Sequence, residues 1–319
     1  MMQLKDLITY NNLIENIDTA GIEDNMHQSM TQFNNKLNIQ DINFDKLKES
    51  MFEKQQNILE NLSGLHNDLN KFKLEMKQYI NTFEQPYHKK SEVIYNTYQQ
   101  EDFHAKTNKA LNHKLFYNRE TTKEFSGCVK KYLTWTDPGL QISPMLGDLT
   151  NELVSLDPLY LADNHVEMFT EVKKLWNPLY QRRLRYYVLD DAVEDPLYQF
   201  PKNQLGFIIV VEWFNFKPMR IIKKYLISMM KVLRPGGVVI FTFNNCNYPK
   251  AVDKVDKMHY SYINGNTLTE FCKSIGYTIL SSFNGEQELR NNTSWLEIQK
   301  PGSRTSIRGG QNLGAINKL

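Results

Sequence analysis

The stretch that decides the fold is MKVLRPGGVVIFTFNN, which runs from Met230 to Asn245. Ahead of it, apolar side chains recur at helical spacing from Ile221 to Leu233, with lysines between them. Pro235 cannot continue that helix, and the two glycines after it give the backbone the freedom that a tight reversal requires. The apolar run from Val238 to Phe243 is typical of a strand buried on both faces.

A second apolar run, Phe207 to Val211, lies before the helix, so the segment is strand, helix, Pro-Gly-Gly and strand. A helix that ends in Leu-Arg-Pro-Gly-Gly, here Leu233 to Gly237, resembles the segment between the fourth and fifth strands of class I S-adenosylmethionine-dependent methyltransferases. The resemblance implies a Rossmann-like α/β fold with a seven-stranded methyltransferase-type sheet. An unrelated α/β protein with a similar crossover is the alternative.

The order of the other elements, from Pro138 to Pro301, agrees with the resemblance. Strands and helices alternate and a pair of strands closes the series, which is the layout of that methyltransferase class. The predicted strands are Leu140–Ile142, Leu159–Ala162, Leu184–Leu189, Tyr277–Phe283 and Ser294–Gln299, and the predicted helices are Leu149–Leu156, Val166–Leu175 and Leu268–Ile275.

Composition narrows the classes of function. The 319 residues are 41% hydrophobic and 23% charged, with a formal net charge of +2, which does not indicate a nucleic-acid binder. No apolar run is long enough for a membrane span, and the N-terminus is too polar for a secretory signal. Cys128, Cys246 and Cys272 are isolated, without disulfide or zinc spacing, and each is expected to be a small buried hydrophobe. We therefore expect a reducing compartment, the cytoplasm. A place in a viral particle is the alternative location, and it goes with the second function given below.

The N-terminal region has a different pattern. Residues 1 to 40 are polar, and a heptad seam follows from Met51 to Phe83, with Pro86 expected to end its helix. The pattern predicts a parallel coiled coil that oligomerises the protein, and a helical hairpin within one chain is the alternative. The seam consists of Met51, Gln55, Ile58, Leu62, Leu65, Leu69, Phe72, Met76, Tyr79 and Phe83.

Four segments result from these patterns. Residues 1–86 are predicted to form the helical coiled-coil oligomerisation segment, and residues 87–137 a helical connector that includes a helix from Glu124 to Trp135. Residues 138–301 are the methyltransferase-like α/β domain, and residues 302–319 an extended C-terminal tail.

Ligands of open α/β sheets bind outside the carboxyl ends of the strands, so acidic residues there are candidates. Asp163, just past the second strand, suits the two ribose hydroxyls of a nucleoside cofactor and is expected to be exposed. Asp190 and Asp191 follow the third strand, where the resemblance implies contact with the adenine amino group. Glu212 follows the fourth strand and is a further candidate for binding the cofactor. Helix capping by each aspartate is the alternative.

The first loop departs from the family pattern, which is an acidic residue followed by three glycines at alternate positions. Gln141 stands at the acidic position, Ser143 at the first glycine and Met145 at the second, and only Gly147 agrees with the pattern. Met145 is expected to crowd the cofactor, and Gln141 lacks a charge that the sulfonium and amino end would favour. The resemblance therefore implies S-adenosylmethionine as the cofactor, with a degenerate site that has altered or lost its binding.

Groups for acid–base chemistry are few. His259 lies after the fifth strand, where some members of the class carry a histidine that faces the substrate, and Asn244 ends that strand and could orient a substrate. A structural or exposed histidine and a turn asparagine are the alternatives. The sequence contains no nucleophile triad, phosphate-binding glycine loop or metal cluster.

Two functions of different classes follow. The first is methyl transfer from S-adenosylmethionine to an acceptor that the sequence does not identify. The second is an inactive structural or interaction protein of an oligomeric assembly such as a viral particle, which has the fold without the chemistry.

Overall fold

The computed structural model describes residues 44–101, 105, 119–133, 137–144, 149–283 and 293–303, and several positions between 24 and 32. The chain forms two compact units, residues 1–85 and residues 86–319. The predictions for residues 1–23, for Met145 and Gly147, and for the C-terminal tail beyond residue 303 concern residues outside the described ones.

A long helix, α1, runs from Phe44 to Gln100 and contains Pro86 in its interior, so the prediction that Pro86 ends the helix is wrong. An internal proline costs a helix about 3 kcal/mol. The turns after Pro86 offset this cost by packing on the α/β domain, where the Tyr87 ring lies 5.3 Å from that of Tyr262. The guanidinium of Arg220 also makes two hydrogen bonds of 2.8 Å with Glu92.

Alternate members of the predicted heptad seam differ in exposure. Leu62, Leu69, Met76 and Phe83 are half-buried. The seam members that lie between these half-buried residues are exposed, and they repeat every seven residues. They are Ile58 at 37%, Leu65 at 65%, Phe72 at 46% and Tyr79 at 51%. The helix therefore presents an apolar stripe of heptad period to its surroundings.

The α/β domain is built on one seven-stranded sheet in the order β3-β2-β1-β4-β5-β7-β6. The first five of these strands are parallel, whereas β7 is antiparallel to both β5 and β6. The seven-stranded mixed sheet was predicted from the sequence and is confirmed. The strands are β1 Gly139–Ile142, β2 Leu159–Asp163, β3 Leu184–Val188, β4 Leu205–Val210, β5 Leu233–Asn244, β6 Thr278–Phe283 and β7 Thr293–Gln299.

The helices occupy the expected connections, with several differences in detail. After β1 a short 3₁₀ helix, Thr150–Leu153, replaces the predicted helix of eight residues. The helix Pro249–Asp256, named α6 below, was not predicted because half of its residues, PKAVDKVD, are charged. The helices after α1 are α2 Arg119–Lys130, α3 Val166–Leu175, α4 Pro178–Gln181, α5 Met219–Val232, α6 Pro249–Asp256 and α7 Gly265–Ser274, and a 3₁₀ helix, Trp213–Phe216, follows β4.

The Pro-Gly-Gly segment belongs to β5, which begins at Leu233 rather than at the predicted Val238. Leu233 pairs with Leu205 of β4 and Val238 with Phe207, so the residues between Leu233 and Val238 form an irregularity within the strand. A Cβ on Gly237 would lie 2.9 Å from two backbone carbonyl oxygens, and Gly236 has a φ of 71°. The reversal therefore requires glycine at both positions.

The sheet is buried on both faces, as the apolar runs predicted. Ile208 and Val210 of β4 pack into a core cluster with α5, whereas Phe207 and Ile209 pack into a second cluster with α2 and α3. This alternation follows from the two-residue period of a strand. Two of the three cysteines, Cys246 and Cys272, are buried.

Candidate functional site at the carboxyl edge of the sheet

The carboxyl ends of the parallel strands form a polar edge that is buried. Asp163 follows β2, Asp191 follows β3 and Glu212 follows β4, and their exposures are 2%, 5% and 4%. Buried carboxylates are costly unless cations or hydrogen-bond donors compensate them. The contacts of each carboxylate therefore show what this edge can bind.

The end of β1 is fixed by its own neighbours. The side-chain oxygen of Gln141 accepts a hydrogen bond of 2.8 Å from the hydroxyl of Thr150, and Gln141 is 2% exposed. Ser143 has a φ of 58°, a left-handed conformation at the position where the family pattern has its first glycine. The backbone of this turn therefore has the conformation that glycine favours, although the residue is serine.

Asp163 is buried at 2%, so the expectation of an exposed aspartate is wrong. Its Oδ1 accepts a hydrogen bond of 3.0 Å from the backbone N–H of His165, at the start of α3. The charge of Asp163 also influences Tyr98 of α1. Burial of Tyr98 is the main cause of its raised pKa, and the Asp163 carboxylate raises the pKa further. Residues of α1 beyond Pro86, which the sequence assigned to a connector, therefore approach this edge.

The two aspartates after β3 have different surroundings. Asp190 is exposed, and its Oδ1 accepts a hydrogen bond of 2.8 Å from the backbone N–H of Ala192 in a local turn. Asp191 is buried and accepts hydrogen bonds from Tyr225 at 2.6 Å, Gln99 at 2.7 Å and Tyr95 at 3.2 Å.

Lys217 forms a buried ion pair with Asp191 and has 0% side-chain exposure. Burial alone raises the pKa of Asp191, but the Lys217 ammonium and the hydrogen-bond donors outweigh it and hold the pKa below its usual range. Burial lowers the pKa of Lys217, and the carboxylates of Asp191 and Asp163 oppose that shift. The Lys217 Nζ also lies 4.1 Å from the centre of the Trp213 ring, a cation–π contact. Neither spacing nor motif marked Lys217 in the sequence.

Glu212 begins the loop after β4 in a left-handed conformation, with a φ of 59°. Its backbone N–H donates to the hydroxyl of Thr242 at 2.8 Å, and its carboxylate accepts from the amide of Asn215 and, at 3.5 Å, from the hydroxyl of Tyr260. Burial lowers the pKa of Lys254, and the Glu212 carboxylate opposes the shift. These contacts lie on the side of β4 that faces β5 and the chain after it.

The two residues predicted for catalysis are in different environments. Asn244 is buried, and its amide nitrogen donates to the backbone oxygens of Ala251 at 3.1 Å and Ser261 at 3.2 Å. This side chain therefore positions the chain that follows β5. His259 is exposed, and its backbone N–H donates to the carbonyl of Lys254 at 2.9 Å. The structure does not bring Asn244 and His259 into one cluster with Asp163.

The last turns of α1 lie against the same edge. Tyr95 and Gln99 donate hydrogen bonds to Asp191. The Tyr98 ring stacks on the Phe216 ring, with centroids 4.4 Å apart and planes 4° from parallel. The hydroxyl of Ser91 accepts a hydrogen bond of 2.7 Å from the backbone N–H of Tyr262. Helix α1 therefore covers the edge from β3 to the chain beyond β5.

Comparisons with known proteins find similar solved structures but no family. No protein-family model matches the chain, and no curated protein matches it in sequence. Similar solved structures include the N-methyltransferase NodS from Bradyrhizobium japonicum with S-adenosyl-L-homocysteine, at 16% identity and a TM-score of 0.45 over 58% of this chain and 89% of that chain. An S-adenosylmethionine-dependent methyltransferase from Mesorhizobium loti has 10% identity and a TM-score of 0.45 over 55% of this chain and 96% of that chain.

Because these identities are low and the TM-scores lie below 0.5, the assignment rests on the strand order itself. The order β3-β2-β1-β4-β5-β7-β6, with β7 antiparallel, is the Rossmann-like sheet of the class I methyltransferases, and a long helix precedes it. This confirms the predicted fold class. Within the described residues, no helix has the length and hydropathy of a membrane span, and no group of His, Cys, Asp or Glu is arranged to hold a metal ion.

Proposed function

We propose that the protein transfers a methyl group from S-adenosylmethionine, which binds at the carboxyl edge of the sheet. The observation that supports this most is the row of buried carboxylates, Asp163, Asp191 and Glu212, after three strands of a methyltransferase-type sheet. Nucleoside ligands of open α/β sheets bind at this edge. A fold alone does not define an activity, so the proposal depends on these residues.

Part of the edge fits the cofactor. Asp163, at the end of β2, is in the position from which a carboxylate accepts hydrogen bonds from both ribose hydroxyls. The left-handed turn at Ser143 suits close approach of a ligand to the backbone. When bound, the cofactor supplies a methyl group activated by its sulfonium. The chain supplies positioning and exclusion of water.

Another part of the edge does not fit the cofactor as the structure stands. Asp191, predicted to contact the adenine amino group, is already surrounded by Lys217, Tyr225, Gln99 and Tyr95. Asn244 and His259 stay predictions for work on the acceptor, because the structure gives Asn244 a positioning role and leaves His259 exposed.

The proposal is tested by calorimetric titration with S-adenosylhomocysteine. The variant Asp163→Asn should bind at least tenfold more weakly than the unchanged protein, because an amide cannot accept from two hydroxyls as a carboxylate does. The matched control is Asp157→Asn, at the opposite end of β2, where the aspartate lies 3.9 Å from Arg183 at the surface. Equal affinity in the Asp163 variant and its control would exclude Asp163 from the site.

A second function, a structural or interaction protein without methyl transfer, is supported by two observations. Gln141 is bonded to Thr150 at the position of the acidic residue, and a buried ion pair fills the place next to the third strand. Circular dichroism and the titration separate the two functions. A folded protein that binds neither S-adenosylmethionine nor S-adenosylhomocysteine, with or without the changes at Lys217 described below, would favour the structural function.

We further propose that two or more chains associate through α1 as a parallel coiled coil. The supporting observation is the exposed apolar stripe of Ile58, Leu65, Phe72 and Tyr79 at a seven-residue period. Exposed side chains of this size and spacing gain most when a second copy of the same helix covers them. The alternative, an intramolecular helical hairpin, predicts a monomer at all concentrations.

A further inference from the structure

A buried ion pair crosses the carboxyl edge of the sheet at the place where a nucleoside would bind. Asp191 belongs to the loop after β3, and Lys217 follows the 3₁₀ helix after β4. In the strand order, β2 and β1 lie between β3 and β4. Neighbouring strands are about 4.8 Å apart, so the two loops come together across roughly 14 Å of the sheet edge.

Two described residues at the ends of the strands between β3 and β4 are also buried. Ser143 at the end of β1 is 7% exposed and Asp163 at the end of β2 is 2% exposed. The charge of Asp163 acts on Lys217, which is itself fully buried. Aromatic rings surround the Lys217 ammonium, at 4.1 Å (Trp213) and 5.2 Å (Tyr95) from its Nζ atom.

We infer that Lys217 is a resident occupant of the nucleoside site, and that a nucleoside binds only when the Lys217 ammonium leaves Asp191. This inference rests on the proposed function, because it concerns the same site. Removal of the ammonium would return to Asp191 the free acceptor that an adenine amino group requires. Tyr95 and Gln99 of α1 close the other side of the bridge, so the last turns of α1 must yield as well.

The inference makes a quantitative statement about binding. If the open form is one tenth of the population or less, the apparent dissociation constant is raised at least tenfold by that fraction. Removing the ion pair should abolish this factor. Lys217→Met has nearly the length of lysine and keeps apolar contact with Trp213, and Asp191→Asn removes the charge that would otherwise be left buried alone.

The experiment is a titration of the full chain with S-adenosylhomocysteine, by calorimetry at constant pH. We expect the double variant Asp191→Asn/Lys217→Met to bind at least tenfold more tightly than the unchanged protein. Lys217→Met alone is measured too, because it keeps the carboxylate of Asp191 for the adenine amino group. Circular dichroism confirms that each variant is folded.

The matched control removes another ion pair that joins the same two regions but lies away from the edge. Lys224 of α5 is 3.6 Å from Glu194, whose side chain is 94% exposed, in the loop after β3. Glu194→Gln/Lys224→Met should bind S-adenosylhomocysteine as the unchanged protein does.

The outcomes separate the two claims. Tight binding by the unchanged protein, with no gain in either Lys217 variant, overturns the inference and leaves the proposed function standing. Absence of S-adenosylhomocysteine binding in both the unchanged protein and the folded Lys217 variants overturns the proposed function and, with it, the inference. Folded Lys217 variants that bind less tightly than an unchanged protein that does bind overturn the inference alone. An equal gain in the Glu194–Lys224 control would show a general loosening of the domain and would also overturn the inference.

Discussion

The segment Leu-Arg-Pro-Gly-Gly carries an arginine whose role in stability can be tested. The Nη2 atom of Arg234 lies 2.6 Å from the Oδ2 atom of Asp137, and the side chains are 5% and 2% exposed. Asp137 precedes β1 and Arg234 is the second residue of β5, so the ion pair joins strands that are separated by β4. We expect Arg234→Met to destabilise the α/β domain strongly.

The magnitude follows from the burial of the pair. Removing one partner of a buried ion pair leaves a charge in a poorly solvated place and costs about 3–5 kcal/mol. For a domain of this size each kcal/mol lowers the melting temperature by about 2–4 °C, so the expected fall is roughly 6–20 °C. The double variant Asp137→Asn/Arg234→Met removes both charges and should recover about 1–3 kcal/mol of the loss.

The assay is urea unfolding of the full chain followed by circular dichroism, with thermal melting as a second measure. The matched control is Arg183→Met, because Arg183 lies 3.9 Å from Asp157 in a pair of which the side chains are 29% and 37% exposed. A surface pair of this kind contributes about 0–1 kcal/mol. If Arg234→Met costs no more than Arg183→Met, burial does not set the value of the pair and the reasoning is refuted.

Two further predictions concern the glycines and the long helix. Gly237→Ala should lower the free energy of unfolding by about 1–3 kcal/mol in the same assay, because the new Cβ would lie 2.9 Å from backbone atoms. Gly64→Ala is the control and should raise the free energy of unfolding by about 1 kcal/mol, because no atom lies within 4 Å of its Cβ position. Equal effects of the two substitutions would contradict the close approach at Gly237. Leu65→Asp/Phe72→Asp, which places charges in the exposed apolar stripe, should give smaller particles than the unchanged chain in light scattering. Leu74→Asp, at a position outside the seam that is 59% exposed, should not. An oligomer that survives the double change, or an unchanged protein that is monomeric throughout, would exclude the coiled coil.

Much of the sheet could be predicted from the sequence because its central strands have no polar face. β4 and the inner part of β5 are continuous apolar runs, and only a parallel sheet covered on both sides requires that pattern. The helix α5 was equally clear, since its apolar residues repeat at helical spacing. Helix α6 was missed because Ala251, Val252 and Val255 are too few to show a period.

The candidate site was harder to predict, for reasons of distance along the chain. Asp191 and Lys217 are 26 residues apart, and no local spacing connects them. Lysine usually stays in water, so Lys217 gave no sign of burial except its place beside the aromatic run Trp213–Phe216. Asp163 was expected to be exposed because it stands at the end of a strand, whereas it is 2% exposed in the folded domain.

The energetic character of the closed edge bears on the choice between an enzyme and a scaffold. A buried ion pair adds little to stability, and apolar residues of similar volume often stabilise a fold as well or better. A scaffold therefore gains little from placing Asp163, Asp191, Glu212 and Lys217 in one buried region, each less than 6% exposed. The same charges are more useful in a binding site. A ligand that displaces the Lys217 ammonium lets that ammonium be hydrated again, and the ligand can then donate a hydrogen bond to the Asp191 carboxylate. The proposed exchange of partners at Asp191 thus gives these charges a role that the stability of the sheet does not require.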